Sequence, residues 1–297
     1  MASSPLPPPR GDNPSASNPP LEGVRGRMSL TSRKIGCLAT IILLIFYIFC
    51  LPDKLFNVSY STVVTDRHGE RLGARIASDG QWRFPACDTV PLKLEKCIIA
   101  FEDRHYYKHW GVNPLAIGRA IKQNLQQKRI VSGGSTITMQ TIRLSRNKPR
   151  TLGEKVIEAI LATRLEFSYS KEEILAMYAS HAPYGGNVVG LDAASWRYFG
   201  HASKELSWAE AATLAVLPNS PSMMHLAKSR QALKNKRDRL LKRLYEKKTI
   251  DESTYELALE EELPDEPLPL PQVAPHLVAR FYKIKKGQES ASTIDKG

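Results

Sequence analysis

Glu102-Asp103-Arg104-His105-Tyr106-Tyr107-Lys108-His109-Trp110-Gly111 and, further along, Gly133-Gly134-Ser135-Thr136-Ile137-Thr138-Met139-Gln140 are the stretches from which the rest of this chain is read. The first sets a carboxylate pair beside histidines and aromatic rings. A carboxylate in partly apolar surroundings has its pKa raised toward neutrality, which suits a general base. Phe101, Tyr106, Tyr107 and Trp110 are the candidates to supply those surroundings. The second stretch is a Gly-Gly turn that opens a run of hydroxyl and amide side chains. Its glycines let the backbone approach a ligand closely, and Ser135, Thr136 and Gln140 offer hydrogen bonds to sugar or phosphate oxygens. Alone, the first dipeptide also reads as a solvated helix end with a carboxylate pairing Arg104, and the second stretch as an ordinary polar loop. Together they look like a sugar-transfer site.

Cations follow at Arg143, Arg146, Lys148, Arg150 and Lys155. A diphosphate leaving group gains negative charge as its bond breaks, and fixed cations stabilise it. Without the two strings, such a cluster reads as a solvated basic face. Glu158 is the second acid. It lies four residues after Glu154 on one helix face, a like-charge pair that disfavours the helix unless cations sit nearby.

Outward from the strings, residues 60–84 read as short strands, with Val63-Val64 and Leu72 apolar and turn signals at 66–69 and at Asp79-Gly80. Helical patterning starts near Leu92. Asn113-Pro114 is a cap followed by proline in the first turn, opening a helix to Gln127. Another helix begins near Thr151 with Val156, Ile157, Ile160, Leu161 and Leu165 at helical spacing. Ser170-Lys171-Glu172-Glu173 and Ser207-Trp208-Ala209-Glu210 are capping boxes, and Pro218 stops the second of these helices. Residues 228–248 form a basic helix, suited equally to anionic lipid headgroups and to solvent. Residues 264–275 are a proline-rich linker. The predicted fold is mainly α with a small β region leading into it.

The net charge of +12 in 297 residues calls for an anionic partner: nucleic acid, an acidic membrane surface or a phosphorylated substrate. Residues 35–51 carry no charge and follow Arg25, Arg27, Arg33 and Lys34. At the short end of a membrane span, they predict one transmembrane helix with a cytoplasmic N-terminus and an exported remainder. The competing reading, a cleaved signal peptide, lacks a clear small-x-small site. Export makes nucleic acid an unsuitable partner. Residues 1–34, rich in Pro, Ser, Asn and Arg, are expected to be a disordered tail. Cys87 and Cys97 fall in the exported part, where a disulfide is permitted, and whether they meet is left open. No His/Cys spacing resembles a zinc site.

The chain resembles the peptidoglycan glycosyltransferases, glycosyltransferase family 51, through five motifs in order over residues 61–221. The first matches Glu-Asp-x-x-aromatic-x-x-His-x-Gly, with Tyr106 where phenylalanine is usual. The second resembles Gly-x-Ser-Thr-x-Thr-Gln-Gln, with Met139 replacing the first glutamine. The third, Arg-Lys-x-x-Glu, is kept at Lys155 and Glu158 but has Glu154 at its arginine. In the fourth, Ile174-Leu175-Ala176-Met177-Tyr178 fits and Ala179-Ser180-His181 differs. The fifth is residues 190–200. Met139-Gln140, residues 182–186, residues 193–196 and Leu217-Pro218 look most like class A penicillin-binding proteins of the 1C type, in which a transpeptidase domain follows; residues 292–297 resemble its opening.

The resemblance implies a lysozyme-like glycosyltransferase domain over residues 60–250, with 251–297 a linker toward a transpeptidase domain absent from this chain. It implies a membrane-anchored enzyme, catalytic side outward from the bacterial inner membrane, that polymerises lipid II. Glu102 would be the base, and Glu158 would position substrate or hold the cations. Asp103, His109, Ser135, Thr136, Gln140, Arg143, Arg150 and Lys155 would bind substrate. Mg or Mn at the diphosphate is the one cofactor considered, with no ligand set readable. Implied partners are lipid II, the growing glycan strand, membrane lipids and other proteins of cell-wall synthesis. Two other readings remain at this level: a lytic enzyme on the related fold, disfavoured by the cations after Gln140, and a non-catalytic lipid II-binding scaffold, for which the altered third and fourth motifs leave room.

Overall fold

The computed structural model describes residues 30–68, 71–129, 133–219, 227–270 and 272–294; most of the expected disordered tail, Gly69 of the first turn signal and residues 295–297 lie outside these. The chain divides into two units, residues 1–46 and 47–297. Helix α1 (Leu30–Phe49) holds most of the uncharged run. It takes in Arg33 and Lys34 at its start and ends before Leu51, so its uncharged part, Ile35 to Phe49, rises only about 22 Å at ~1.5 Å per residue. Among the described residues, no helix is long and apolar enough to cross a membrane.

In the second unit, β1 (Thr62–Thr65) and β2 (Arg71–Arg75) form an antiparallel pair with a register shift between Val64 and Thr65. Strand β3 (Trp82–Arg83) pairs in parallel with β5 (Val188–Val189), which pairs antiparallel with β4 (Pro183–Gly185). The predicted β region is therefore present, with one of its strands completing a sheet from much later in the chain.

The helices carry the core. They are α2 (Leu92–Glu102), α3 (Pro114–Gln127), α4 (Ile137–Arg146), α5 (Leu152–Glu166), α6 (Lys171–His181), α7 (Leu191–Tyr198), α8 (Trp208–Val216), α9 (Ala227–Glu246), α10 (Glu252–Glu260) and α11 (Pro275–Ile294). The cap residues act locally, as sequence predicts. Asn113 Oδ1 accepts the Ala116 N–H, Thr151 caps α5, and Ser170 and Ser207 close full capping boxes. Helix α8 is buried along its length by Ala209, Ala211, Ala212, Leu214, Ala215 and Val216. Its small side chains let α2 and α9 pack closely against it.

Three sequence expectations change. Residues 137–140, readable as part of a polar loop, open α4, which is buried through Ile137, Thr138, Met139, Thr141 and Ile142. On α5 only Leu161 and Leu165 of the apolar set are buried; Val156, Ile157 and Ile160 face outward. The core also reaches past Ile250, where the linker was placed. Ala258, Leu263 and Leu270 belong to it, α10 packs on α8 and α9, and Val273 and Ala274 donate backbone N–H groups to Leu72 O. The cysteines are free thiols: Cys97 is buried, while Cys87 faces Ser180 Oγ at 3.1 Å.

Candidate active site

The two strings meet at the N-terminus of α4. Asp103 leaves the end of α2, and its Oδ2 accepts the Ile137 N–H at 3.2 Å, tying it to the first turn of α4. The same oxygen lies 2.8 Å from His109 Nε2, and since a carboxylate only accepts, the imidazole donates. Thr136 caps α4 by accepting the Met139 N–H at 3.1 Å and donates to Gly111 O at 2.5 Å. Gly111 sits at φ +77°, and a Cβ there would fall 2.6 Å from Ala162 O. Only glycine takes that conformation without strain and lets the first string press against α5. Of the residues expected to touch substrate, His109 is thus bonded to Asp103, and Asp103 and Thr136 each reach the backbone of the other string, at Ile137 and Gly111. They hold the two strings together.

That joint aims the exposed part of α4. Gln140 and Arg143 are three residues apart and share a helix face. Gln140 Nε2 donates to Glu102 Oε2 at 2.8 Å. Arg143 grips Glu158 from α5 through two bonds, Nε to Oε1 at 2.9 Å and Nη2 to Oε2 at 2.8 Å, and also donates to Ser135 Oγ at 3.0 Å. One helix face therefore carries both acids named from sequence, each by a different donor.

The two carboxylates differ in electrostatics. Burial pushes the Glu102 carboxyl up from its ordinary value, and Asp103 adds to this; the amide of Gln140 and the charges of Arg143 and Lys236 oppose the rise without cancelling it. Its remaining oxygen, Oε1, accepts from Asn219 Nδ2 at 2.7 Å. Glu158, with 5% of its side chain exposed, gives both oxygens to the Arg143 fork. The bond to Glu158 pushes the guanidinium up further, so Arg143 is a permanent cation.

Beyond this pair the cations spread over the surface. Glu154, at the arginine position of the third motif, is paired with Arg146, which draws the Glu154 carboxyl below its ordinary value. Lys155 and Arg150 are exposed. Both oxygens of Glu158 are taken by Arg143, and no group of three His, Cys, Asp or Glu among the described residues is placed to hold a metal by protein side chains alone.

A family model described as transglycosylase matches residues 69–245, which contain the whole of this arrangement. The chain belongs to the transglycosylase family. It is 35% identical to penicillin-binding protein 1C of Escherichia coli over 89% of this chain and 36% of that protein. It is 34% identical to penicillin-binding protein 1A of Aquifex aeolicus over 72% of this chain and 30% of that one. The chain thus spans about a third of the length of these relatives. A solved penicillin-binding protein 1A from Haemophilus influenzae aligns with a TM-score of 0.40 and 19% identity over 76% of this chain and 24% of its own, a likeness too loose to define the fold.

Sequence reasoning missed two residues of the site. Asn219 closes the short 3-10 turn Leu217–Asn219 after α8, far from Glu102 in the chain and within no motif. Tyr178 was read as a packing residue. Its hydroxyl is buried with no hydrogen-bond partner among the described residues; burial, then the nearby charge of Glu102, pushes it well up.

Proposed function

We propose that this chain is a peptidoglycan glycosyltransferase domain that polymerises lipid II on a lysozyme-like scaffold. The observation that carries the proposal is the contrast between the two acids. The hydrogen bonds Glu102 accepts from Gln140 and Asn219 come from neutral amides, whereas Glu158 is spent on a guanidinium. A carboxylate raised by burial and held by neutral donors keeps the basicity to take a proton. Both oxygens of Glu158 are already held by the Arg143 guanidinium.

In the reaction, a Glu102 oxygen takes the proton of the acceptor sugar's 4-hydroxyl. The acceptor's 4-oxygen, so freed of its proton, attacks the donor anomeric carbon from the face opposite the diphosphate, a new C–O bond forms, and the old one breaks with inversion. The electron pair leaves on undecaprenyl diphosphate. Arg143, oriented by Glu158 and Ser135, meets the developing charge together with the exposed Lys155 and Arg150. Asp103, His109 and Thr136 act one step back, by fixing the start of α4.

The substrate's lipid tail calls for a membrane surface. Trp110, Leu115, Leu125, Leu152, Val156 and Phe167 are all more than half exposed, an apolar display on and beside α3 and α5 that suits acyl chains. With Arg33 and Lys34 before the uncharged run, this supports single-pass anchoring in the inner membrane with the catalytic unit outside. Glycan strands, membrane lipids and other proteins of wall synthesis follow as partners.

The test is glycan-chain formation from labelled lipid II in detergent by this chain and by Glu102→Gln. Polymer from the first, and at least about a thousandfold less from the second, supports the assignment. Equal polymer from both removes Glu102 as the base. Lipid II binding by the folded chain without turnover replaces the enzyme with a scaffold.

A further inference from the structure

Asn219 reaches Glu102 from a different element than Gln140 and bonds its other oxygen. It ends the turn after α8, following Pro218, whose ring restricts its backbone. Each Glu102 oxygen then accepts one amide proton, Oε1 from Asn219 at 2.7 Å and Oε2 from Gln140 at 2.8 Å. The opposite amide orientations would set oxygen against oxygen, so the donors are fixed by chemistry. A carboxylate held at both ends has no freedom to rotate. The lone pairs left over on its oxygens are then the ones directed at the acceptor hydroxyl.

We propose that Asn219 is a positioning residue for the transfer reaction, fixing the orientation of the Glu102 carboxylate and favouring its charged form. The proposal rests on Glu102 being the base. Two donors to a carboxylate stabilise its ionised state, because a protonated oxygen must give up one of them or turn its own hydrogen against it. Among the described residues, the other charged or titratable groups around Glu102 are Asp103 beside it, Arg143 on α4, Tyr178 on α6 and Lys236 on α9. Asn219, like Gln140, is a neutral donor to Glu102, holding the carboxylate without the full opposing charge that Arg143 brings to Glu158. Being exposed, its side chain contributes little to the core, so its removal separates positioning from folding.

The experiment compares the pH dependence of lipid II polymerisation by the full chain with that of Asn219→Ala, Asn219→Asp, Asn219→Gln and Glu102→Gln, with folding of each followed by circular dichroism. Asn219→Ala is expected to lower kcat about tenfold and to move the acid limb of the kcat profile up by about one pH unit, with KM within about twofold of the wild-type value. Asn219→Asp, of the same shape but opposing charge, moves the limb further up. Asn219→Gln recovers part of the loss. A wild-type limb and kcat in both Asn219→Ala and Asn219→Asp, with Glu102→Gln inactive, overturns this role while leaving Glu102 as the base. Activity in Glu102→Gln overturns both.

Discussion

Helices α4 and α8 are both short, both start on a hydroxyl cap and both run through the interior, yet they are built for opposite ends. In α8 the buried surface is almost all alanine, leucine and valine, and its one buried hydroxyl, on Thr213, bonds back to Ala209 O within the helix. In α4 the buried side carries Thr138, which reaches out to Glu166 at 2.6 Å, and the more open side carries Gln140 and Arg143, which reach Glu102 and Glu158. The scaffold helix meets its neighbours mainly through shape, its polar links lying at its start, where Glu210 pairs with His201 and the Ser207 cap donates to Glu261. In the site helix Thr141 and Ser145 also bond back within the helix, but Thr138, Gln140 and Arg143 go to carboxylates from other elements, so its position and theirs are fixed together.

Breaking that difference is expected to have its largest effect at Arg143. Arg143→Ala strands a buried Glu158 and costs about 3–5 kcal/mol of stability, measured by denaturant unfolding. Polymerisation by the fraction that remains folded falls by about a hundredfold or more. Ala212→Leu, which overfills α8 where it meets its neighbours, costs a smaller ~1–3 kcal/mol and leaves the kcat of the folded protein unchanged. If both variants lose activity only in proportion to folded protein, the distinction between the helices fails. The caps provide a finer comparison. Thr136→Ala removes the cap and also strands the buried Gly111 carbonyl, for about 2 kcal/mol. Ser207→Ala, whose second bond goes to Glu261, costs about 1 kcal/mol. Equal losses in thermal unfolding contradict the claim that the α4 cap doubles as a joint.

What the sequence makes legible follows the range of each interaction. Asn113, Thr151, Ser170 and Ser207 act within three residues of themselves, so their helices are readable as written. Helix α4 is not, because a helix buried on several sides needs no 3.6-residue apolar stripe, and Thr138 and Gln140 have partners elsewhere in the chain. On α5 the spacing is helical, but Val156 and Ile160 lie on the exposed side; periodicity gives the helix and not the medium its apolar residues meet. Glu154 was a departure from the third motif in sequence, and the structure gives it a partner in Arg146. Asn219 was invisible because nothing local distinguishes an amide that ends a turn from one that holds a catalytic acid. The match of Lys155 and Glu158 to a motif says nothing of which carboxylate is free to act; that depends on Arg143, fifteen positions before Glu158.

The central claim is that Glu102 is held ionised in a buried setting and acts as the base. The most direct measurement is kcat for lipid II polymerisation by the unmodified chain at saturating substrate as pH is lowered, which reports the ionisation in the substrate complex. Because burial raises the Glu102 carboxyl against the pull of its donors, activity should be complete well above its midpoint and fall away through a single ionisation above the ordinary glutamate value of about 4.3. Activity that holds level through that value, in protein that stays folded, would contradict the account.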